Sequence, residues 1–428
     1  MTNLKGMWEK LRKIWNVKSL RNSILYVLGM LIIFRLVAHI PMPGIDREAL
    51  SGFLAGNQIL GLLNVFSGGT IENFSLVMMG IAPYITSSII FQLLTMVVPS
   101  LEELSKEGES GQQKINMYTR ITTVPLALLQ AYGFIKLLNN SQQGMLGDLT
   151  TVRLASMMLF VTAGTIFLMW IGELITEKKI GNGISLLIFA GIVASLPTAI
   201  RNAVVNYNPS DLTTYLLFAG IAVATIIGVV IINEGQRNIP ISYAKQVRVG
   251  QGGAKSHLPL RVNMAGVIPI IFAISIVLFP SMVAQFFAGN QGWLGRVAIS
   301  TINLFQNQLF YGMIYFLLVF GFTYFYTAVI FNPEKIAENL QRQGGFIPGI
   351  RPGKQTEEYL QKTMTRLVFV GALFLGAIAV LPLLMQLVTN SQALVFGGTS
   401  LLIVVSVAIE TTKQIDSQLT VHEYDGIK

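Results

Sequence analysis

The sequence predicts an all-α polytopic membrane protein. Ten transmembrane helices are expected in two inverted five-helix halves around a central pore, with a short re-entrant plug helix on the outer side. Three observations carry this. The 428 residues are 52% hydrophobic and only 12% charged, where soluble domains are about a quarter charged, and the mean hydropathy is +0.60. Apolar runs of bilayer length recur along the chain. Two sequence patterns, half a chain apart, each occur twice and in the same order.

The basic N-terminal segment 1–21 precedes an apolar run that is long and is followed by no small-residue cleavage site. It therefore reads as a cytoplasmic segment leading into a retained first helix, not as a cleavable leader. A hydrocarbon core about 30 Å thick needs about twenty apolar residues per helix. The runs are 22–40, 74–98, 118–137, 152–175, 184–200, 212–232, 262–279, 308–331, 367–388 and 393–409. Helices are required because no water is present at that depth to satisfy the backbone.

An even number of crossings puts both termini on one side. With the N-terminus inside, 24 of the 30 Lys and Arg residues fall in inner segments and six on the outer side or first-helix end. That bias makes both ends cytoplasmic. The chain then divides into 22–205, 206–411 and a C-terminal tail 412–428.

Gly80-Ile81-Ala82-Pro83-Tyr84-Ile85 corresponds to Gly266-Val267-Ile268-Pro269-Ile270-Ile271, and Gly183-Ile184-Ser185-Leu186-Leu187-Ile188 to Gly398-Thr399-Ser400-Leu401-Leu402-Ile403. Chance is the competing reading for either pair alone, because apolar sequence is low in complexity. Five spans is an odd number, so a repeated half enters the membrane from the opposite face, as in folds with inverted repeats around a central pathway. The first pattern sits on the second helix of each half, and the second opens the fifth.

Between the first two spans, the segment 57–74 contains Leu62, Asn64, Val65, Phe66, Ser67, Gly68 and Gly69. It is apolar but too short to cross. It reads as a plug held at membrane depth by surrounding protein or a water-filled cavity, with an ordinary outer loop as the other reading. Two inner connections, 233–261 and 332–366, are longer than helix connections need to be and are basic, with Arg237, Lys245, Arg248, Arg351 and Lys354. Pro348-Gly349-Ile350-Arg351-Pro352-Gly353 frames a tight turn with Arg351 at its tip. Orientation alone accounts for basic inner loops. Length and turn chemistry favour docking of a large partner with an acidic or phosphate-rich surface.

No nucleophile elbow, zinc-protease or P-loop motif is present. There is no cysteine, and His39, His257 and His422 are far apart in sequence. Neither a catalytic role nor a metal or cofactor site is expected. The span interiors hold almost no charge, which argues against an ion-coupled transporter, since such carriers accept the cost of a charge at membrane depth. A secondary transporter for a small solute is the alternative function.

The patterns Asn182-Gly183-Ile184-Ser185, Asn263-Met264-Ala265-Gly266-Val267-Ile268-Pro269, Asn332-Pro333-Glu334-Lys335-Ile336-Ala337-Glu338-Asn339 and Pro348-Gly349-Ile350-Arg351-Pro352-Gly353 together resemble the SecY family of protein-conducting channels, over nearly the whole chain. The resemblance implies an hourglass pore between the halves, closed outside by the plug. Its waist would be an aliphatic ring at Ile81, Ile85, Ile188, Ile192, Ile271 and Ile403. It also implies a lateral gate between the second and third helices and the seventh and eighth, with Pro83, Gln92, Pro269 and Phe279 at that seam and its prolines and glycines easing a bend. Implied partners are the small subunits SecE and SecG, the motor ATPase SecA, the ribosome, signal peptides with their nascent chains, and lipid. The implied site is a bacterial cytoplasmic membrane.

Overall fold

The computed structural model describes residues 12–42, 50, 52, 64, 67, 69–140, 150–205, 212–243, 256–287, 292–389 and 398–425. Its helices are α1 (Lys18–Ala38), α2 (Ala82–Val97), α3 (Pro99–Lys106), α4 (Glu109–Asn140), α5 (Thr151–Glu177), α6 (Gly183–Val205), α7 (Leu212–Glu234), α8 (Ile268–Phe287), α9 (Trp293–Gln306), α10 (Gln308–Ile330), α11 (Pro333–Arg342), α12 (Lys354–Thr389) and α13 (Gly398–Asp425). Three strands, β1 (Gln236–Tyr243), β2 (Ser256–Arg261) and β3 (Gly345–Phe346), form one sheet in the order β2-β1-β3.

Each predicted apolar run falls on a helix: α1, α2, α4, α5, α6, α7, α8, α10, α12 and α13. Among the described residues, α1, α4, α5, α7, α10 and α12 are long and apolar enough to cross a bilayer unaided. The second run differs from expectation. Its helix covers only 82–97, and residues 70–81 form a chain of turns. Pro83 supplies a first-turn residue with no N–H to satisfy. Gly80 just before it has φ +56°, which ends any regular helix arriving from upstream. Irregular backbone survives at membrane depth only inside protein. Here Thr70, Ile71, Phe74, Ser75, Val77 and Met78 are all buried, and Ile71, Phe74 and Met78 cluster with Phe134, Ile135 and Leu138 of α4 and Val161 of α5.

At its other end α2 breaks by 100° into α3. Val98 is extended because Pro99 follows it, and a residue before proline is held out of the helical region.

Helix packing repeats between the two groups of spans. In the first, α2 packs on α4, α4 on α5, α5 on α6, and α1 on α5 and α6. In the second, α8 packs on α10, α10 on α12, α12 on α13, and α7 on α12 and α13. The groups meet at two seams, α8 against α2 and α4, and α13 against α6. Ser19 Oγ on α1 lies 3.2 Å from His422 Nε2 on α13, so the start of the first span and the end of the last are neighbours.

Candidate functional site

The two repeated patterns are four helix starts. Gly80 and Gly266 have φ +56° and +62°, and α2 and α8 begin within two residues of them, each with a proline in its first turn. Pro83 and Pro269 therefore stand in the first turns of their helices, beside the glycines that end the preceding turns. Gly183 and Gly398 are the first residues of α6 and α13. Asn182 caps α6, its Oδ1 accepting from the N–H groups of Ile184 (3.0 Å) and Ser185 (3.2 Å). A Cβ on Gly183 would strike the carbonyl of Gly172 and the hydroxyl of Thr176 on α5.

These starts direct the isoleucines inward. Ile81, Ile85, Ile188, Ile192, Ile271 and Ile403 are all buried in one contiguous apolar cluster. Ile81, Ile85, Ile188 and Ile271 line a single cavity of about 70 Å³ together with Phe34, Leu168, Leu187 and Ile274. Ile192 and Ile403 belong to the same cluster but do not line the cavity. The one-turn spacing of 81 with 85 and of 188 with 192 is that of residues sharing a helix face. Isoleucine is stiff at χ1 and carries no polar atom, so the four lining isoleucines offer no hydrogen bond to anything in the cavity, and the polar part of its lining comes from other residues.

Ser67 closes one side of the cavity and lies 3.7 Å, by its Cα, from where a Cβ on Gly80 would stand. Its hydroxyl donates to the carbonyl of Asn64 at 2.9 Å. Asn64 also accepts from Gly69 N–H through its carbonyl (2.8 Å) and from Glu72 N–H through Oδ1 (3.0 Å). The segment thus folds on itself against the cavity. Of the expected plug residues, Leu62, Val65, Phe66 and Gly68 lie outside the described residues.

Phe279 is half-buried on α8, a helix that packs on α2, α4 and α10. Phe272 makes edge contacts with Phe322 and Tyr326 of α10 at 6.0 Å. Gln92 donates to Ser88 Oγ on its own helix at 3.5 Å. One of the polar contacts that cross between helices was not expected: Gln130 Nε2 on α4 donates to Thr86 Oγ1 on α2 at 3.4 Å. Both side chains line the cavity, as does Ser275 of α8. A single amide within the run 118–137 was the available clue, since polar groups inside a span face the protein interior.

A second unexpected network ties the base of α8. Asn263 Nδ2 donates to Asn233 Oδ1 (2.7 Å) and to the Gly266 carbonyl (3.2 Å), and Asn233 Nδ2 donates to Ser406 Oγ of α13 (2.5 Å).

The two long basic connections form one unit. β1 pairs antiparallel with β2, and Ser242 and Tyr243 pair with Phe346 and Gly345 of β3. Ile239, Leu260 and Ile347 pack on Leu360, Met364 and Val368 of α12. Asn332 caps α11 through Lys335 N–H at 3.0 Å, with Pro333 at its first position. Arg237, Arg351 and Lys354 are exposed on this unit. Gly349 and Gly353, at φ +83° and +93°, frame the Arg351 turn, and Thr356 Oγ1 donates to the Arg351 carbonyl at 3.0 Å. Lys245 and Arg248 lie outside the described residues.

A family model described as SecY matches residues 75–412. The protein translocase subunit SecY of Halalkalibacterium halodurans is 44% identical over 434 residues, spanning 98% of this chain and 99% of that one. The corresponding subunit of Escherichia coli K12 is 44% identical over 416 residues, spanning 95% and 94%. Among solved structures, one described as a protein conducting channel aligns with TM-score 0.60 at 15% identity over 91% and 90% of the two chains. Sec61 in the canine ribosome–channel complex aligns with TM-score 0.60 at 15% identity over 92% and 91%. These structural likenesses show the shared fold. With matched sequence along nearly its whole length and the same helical architecture, the chain belongs to the SecY family.

Proposed function

We propose that this chain is the channel subunit of a protein translocase. It passes unfolded secretory polypeptide across the membrane and releases apolar segments sideways into lipid. The observation that carries this is the convergence of Ile81 and Ile85 of α2, Ile188 of α6 and Ile271 of α8 on one cavity between the two groups of spans. A narrow apolar constriction dewets and holds back ions, yet it grips no particular side chain, so chains of any sequence can slide through. Ile192 and Ile403 complete the ring when it widens. The segment containing Asn64, Ser67 and Gly69, with Leu62, Val65, Phe66 and Gly68, serves as the plug.

The seam of α8 against α2 and α4 is the lateral gate, with Pro83, Pro269, Gln92 and Phe279 along it. The seam of α13 against α6 is the opposite edge. The halves are 22–205 and 206–411. Arg237, Lys245, Arg248, Arg351 and Lys354 present a basic docking face to a partner that supplies the energy, the SecA ATPase or the translating ribosome. The chain itself carries out no chemical step. SecE and SecG cover apolar faces of spans not packed within this chain, of which α7 is the most open. Both termini lie in the cytoplasm, and the membrane is the bacterial cytoplasmic membrane. The comparisons do not favour a small-solute transporter.

The absence of cysteine makes the test clean. Ile85→Cys and Ile271→Cys variants are expected to crosslink a stalled secretory chain, while Ile227→Cys on the open face of α7 does not. Equal labelling at Ile227, or none at the two cavity positions, rejects the proposal.

A further inference from the structure

We propose that α9 is an in-plane membrane anchor, lying in the headgroup region of the outer leaflet and fixing the depth of the outer end of α8. This rests on the reading of α8 and α10 as membrane spans.

Helix α9 has three distinct faces. Gly295 and Ala298 are buried, and α9 packs on α8, where small residues allow close approach. Phe305 makes an edge contact with Phe310 of α10 at 5.6 Å. Trp293, Leu294, Val297 and Leu304 lie within an arc of about 100° at 3.6 residues per turn. All four are open, Trp293 by 66%, Val297 by 54% and Leu304 by 52%. Arg296, Ser300 and Asn303 are exposed on the remaining side. Ile299, also exposed, lies at the far edge of the packed face. One face on protein, one apolar and one polar is the pattern of a helix lying at the lipid–water boundary.

The occupant of the apolar face follows from continuity. Asn307 is both the C-cap of α9 and the N-cap of α10, accepting from Leu309 N–H at 3.1 Å and Phe310 N–H at 3.4 Å. A single residue thus separates α9 from α10, and four residues lie between Leu304 and the α10 stripe of Leu309, Met313 and Leu317, which are 72%, 59% and 55% exposed. These recur every fourth residue along a predicted span and face hydrocarbon. The stripe on α9 continues that surface round the corner, with a tryptophan, a residue favoured at membrane interfaces. Because α9 packs on α8, and α8 forms the seam with α2 and α4, lipid holding α9 also holds the outer end of that seam.

The test uses the full chain in its translocase complex, reconstituted in phosphatidylcholine–phosphatidylglycerol vesicles. Trp8, Trp15 and Trp170 are replaced by Phe, which leaves Trp293 as the chain's reporter. Its emission is expected to be quenched by lipid brominated near the headgroup, less by lipid brominated near the chain end, and little by aqueous iodide. Iodide quenching without bromine quenching places α9 in water and overturns the proposal. Quenching by neither means that protein covers the face, which also overturns it. As a second measure, nitroxides at Val297→Cys and Leu304→Cys should be more accessible to oxygen than to a water-soluble nickel chelate, with Asn303→Cys the reverse. Equal accessibility at the three sites overturns the proposal. Neither readout depends on which face of the membrane is cytoplasmic, so an inverted topology is distinguished from a failure of the anchor.

Discussion

Replacing Ile188 with Asn probes the waist directly. Ile188 opens onto the cavity from α6 yet is only 6% exposed. Burial of such a side chain is worth about 1.5–3 kcal/mol, and most of that is lost with the branched hydrocarbon. An amide left in the ring without a partner costs about 1–3 kcal/mol more. Water entering a widened waist relieves the second cost, so the dry, narrow state loses about 2–4 kcal/mol relative to a wet one. At about 1.4 kcal/mol per tenfold, the wet state gains roughly 30- to 1000-fold in population. The assay is ion conductance of the reconstituted channel without substrate, paired with export of a reporter carrying a weakened signal sequence. Both should rise in Ile188→Asn. Ile188→Val removes about 0.5–1.5 kcal/mol of packing but adds no polar atom, and should remain ion-tight. If Asn and Val leaked equally, lost volume and not wetting would control the seal. If neither leaked, Ile188 would not belong to the barrier.

Three further outcomes are expected. Ile403 is fully buried in the same apolar cluster, and Ile403→Asn should loosen signal stringency in the same direction; unchanged stringency removes it from the ring. Arg351→Glu should slow export severalfold at normal abundance and membrane insertion, since the tip of an exposed turn contributes little to packing; export at the normal rate in an in vitro translocation assay would remove Arg351 from the docking face. Gly183→Ala forces a methyl group into the Gly172 carbonyl and should destabilise the α5–α6 pair by about 1–3 kcal/mol. Gly172→Ala, where the new atom meets Ile184 Cγ1 at 3.3 Å and no backbone atom nearer than 3.7 Å, should cost less, and the two are compared by thermal unfolding of the purified complex.

Much of the architecture was legible because hydropathy and charge act locally. A run of apolar residues reports where chain crosses hydrocarbon, and Lys and Arg report which side their loops occupy. Hydropathy marks the edge of the lipid, however, and not the end of backbone hydrogen bonding. So α4 begins at Glu109, α12 at Lys354 and α13 ends at Asp425, all well beyond their apolar runs. The same limit explains the second span, where the run 74–98 hid eight residues of turn before α2. An apolar side chain reads alike in a helix and in a buried turn.

Pairing between distant segments was not legible. The alternation in β1 is visible, but its joining to β3 across about a hundred residues depends on where α7 and α12 end in space. The Gln130–Thr86 contact and the Asn233–Asn263–Ser406 chain likewise join polar groups that look isolated in sequence. Their partners exist only once helices are packed, because a buried amide takes whichever acceptor the neighbouring helix presents.

The sequence by itself determined that this chain crosses a membrane repeatedly, that it carries a duplicated plan, and that its spans are uncharged inside. Those properties follow from transfer free energies and from residues such as Gly80, Pro83 and Asn182, whose backbone consequences are local. Only the tertiary structure decided that four isoleucines meet at one cavity with Ser67 against it, and that two others share their buried cluster without lining that cavity. Which face of a helix meets which neighbour is set by the joint packing of all the spans, and no segment carries that information alone.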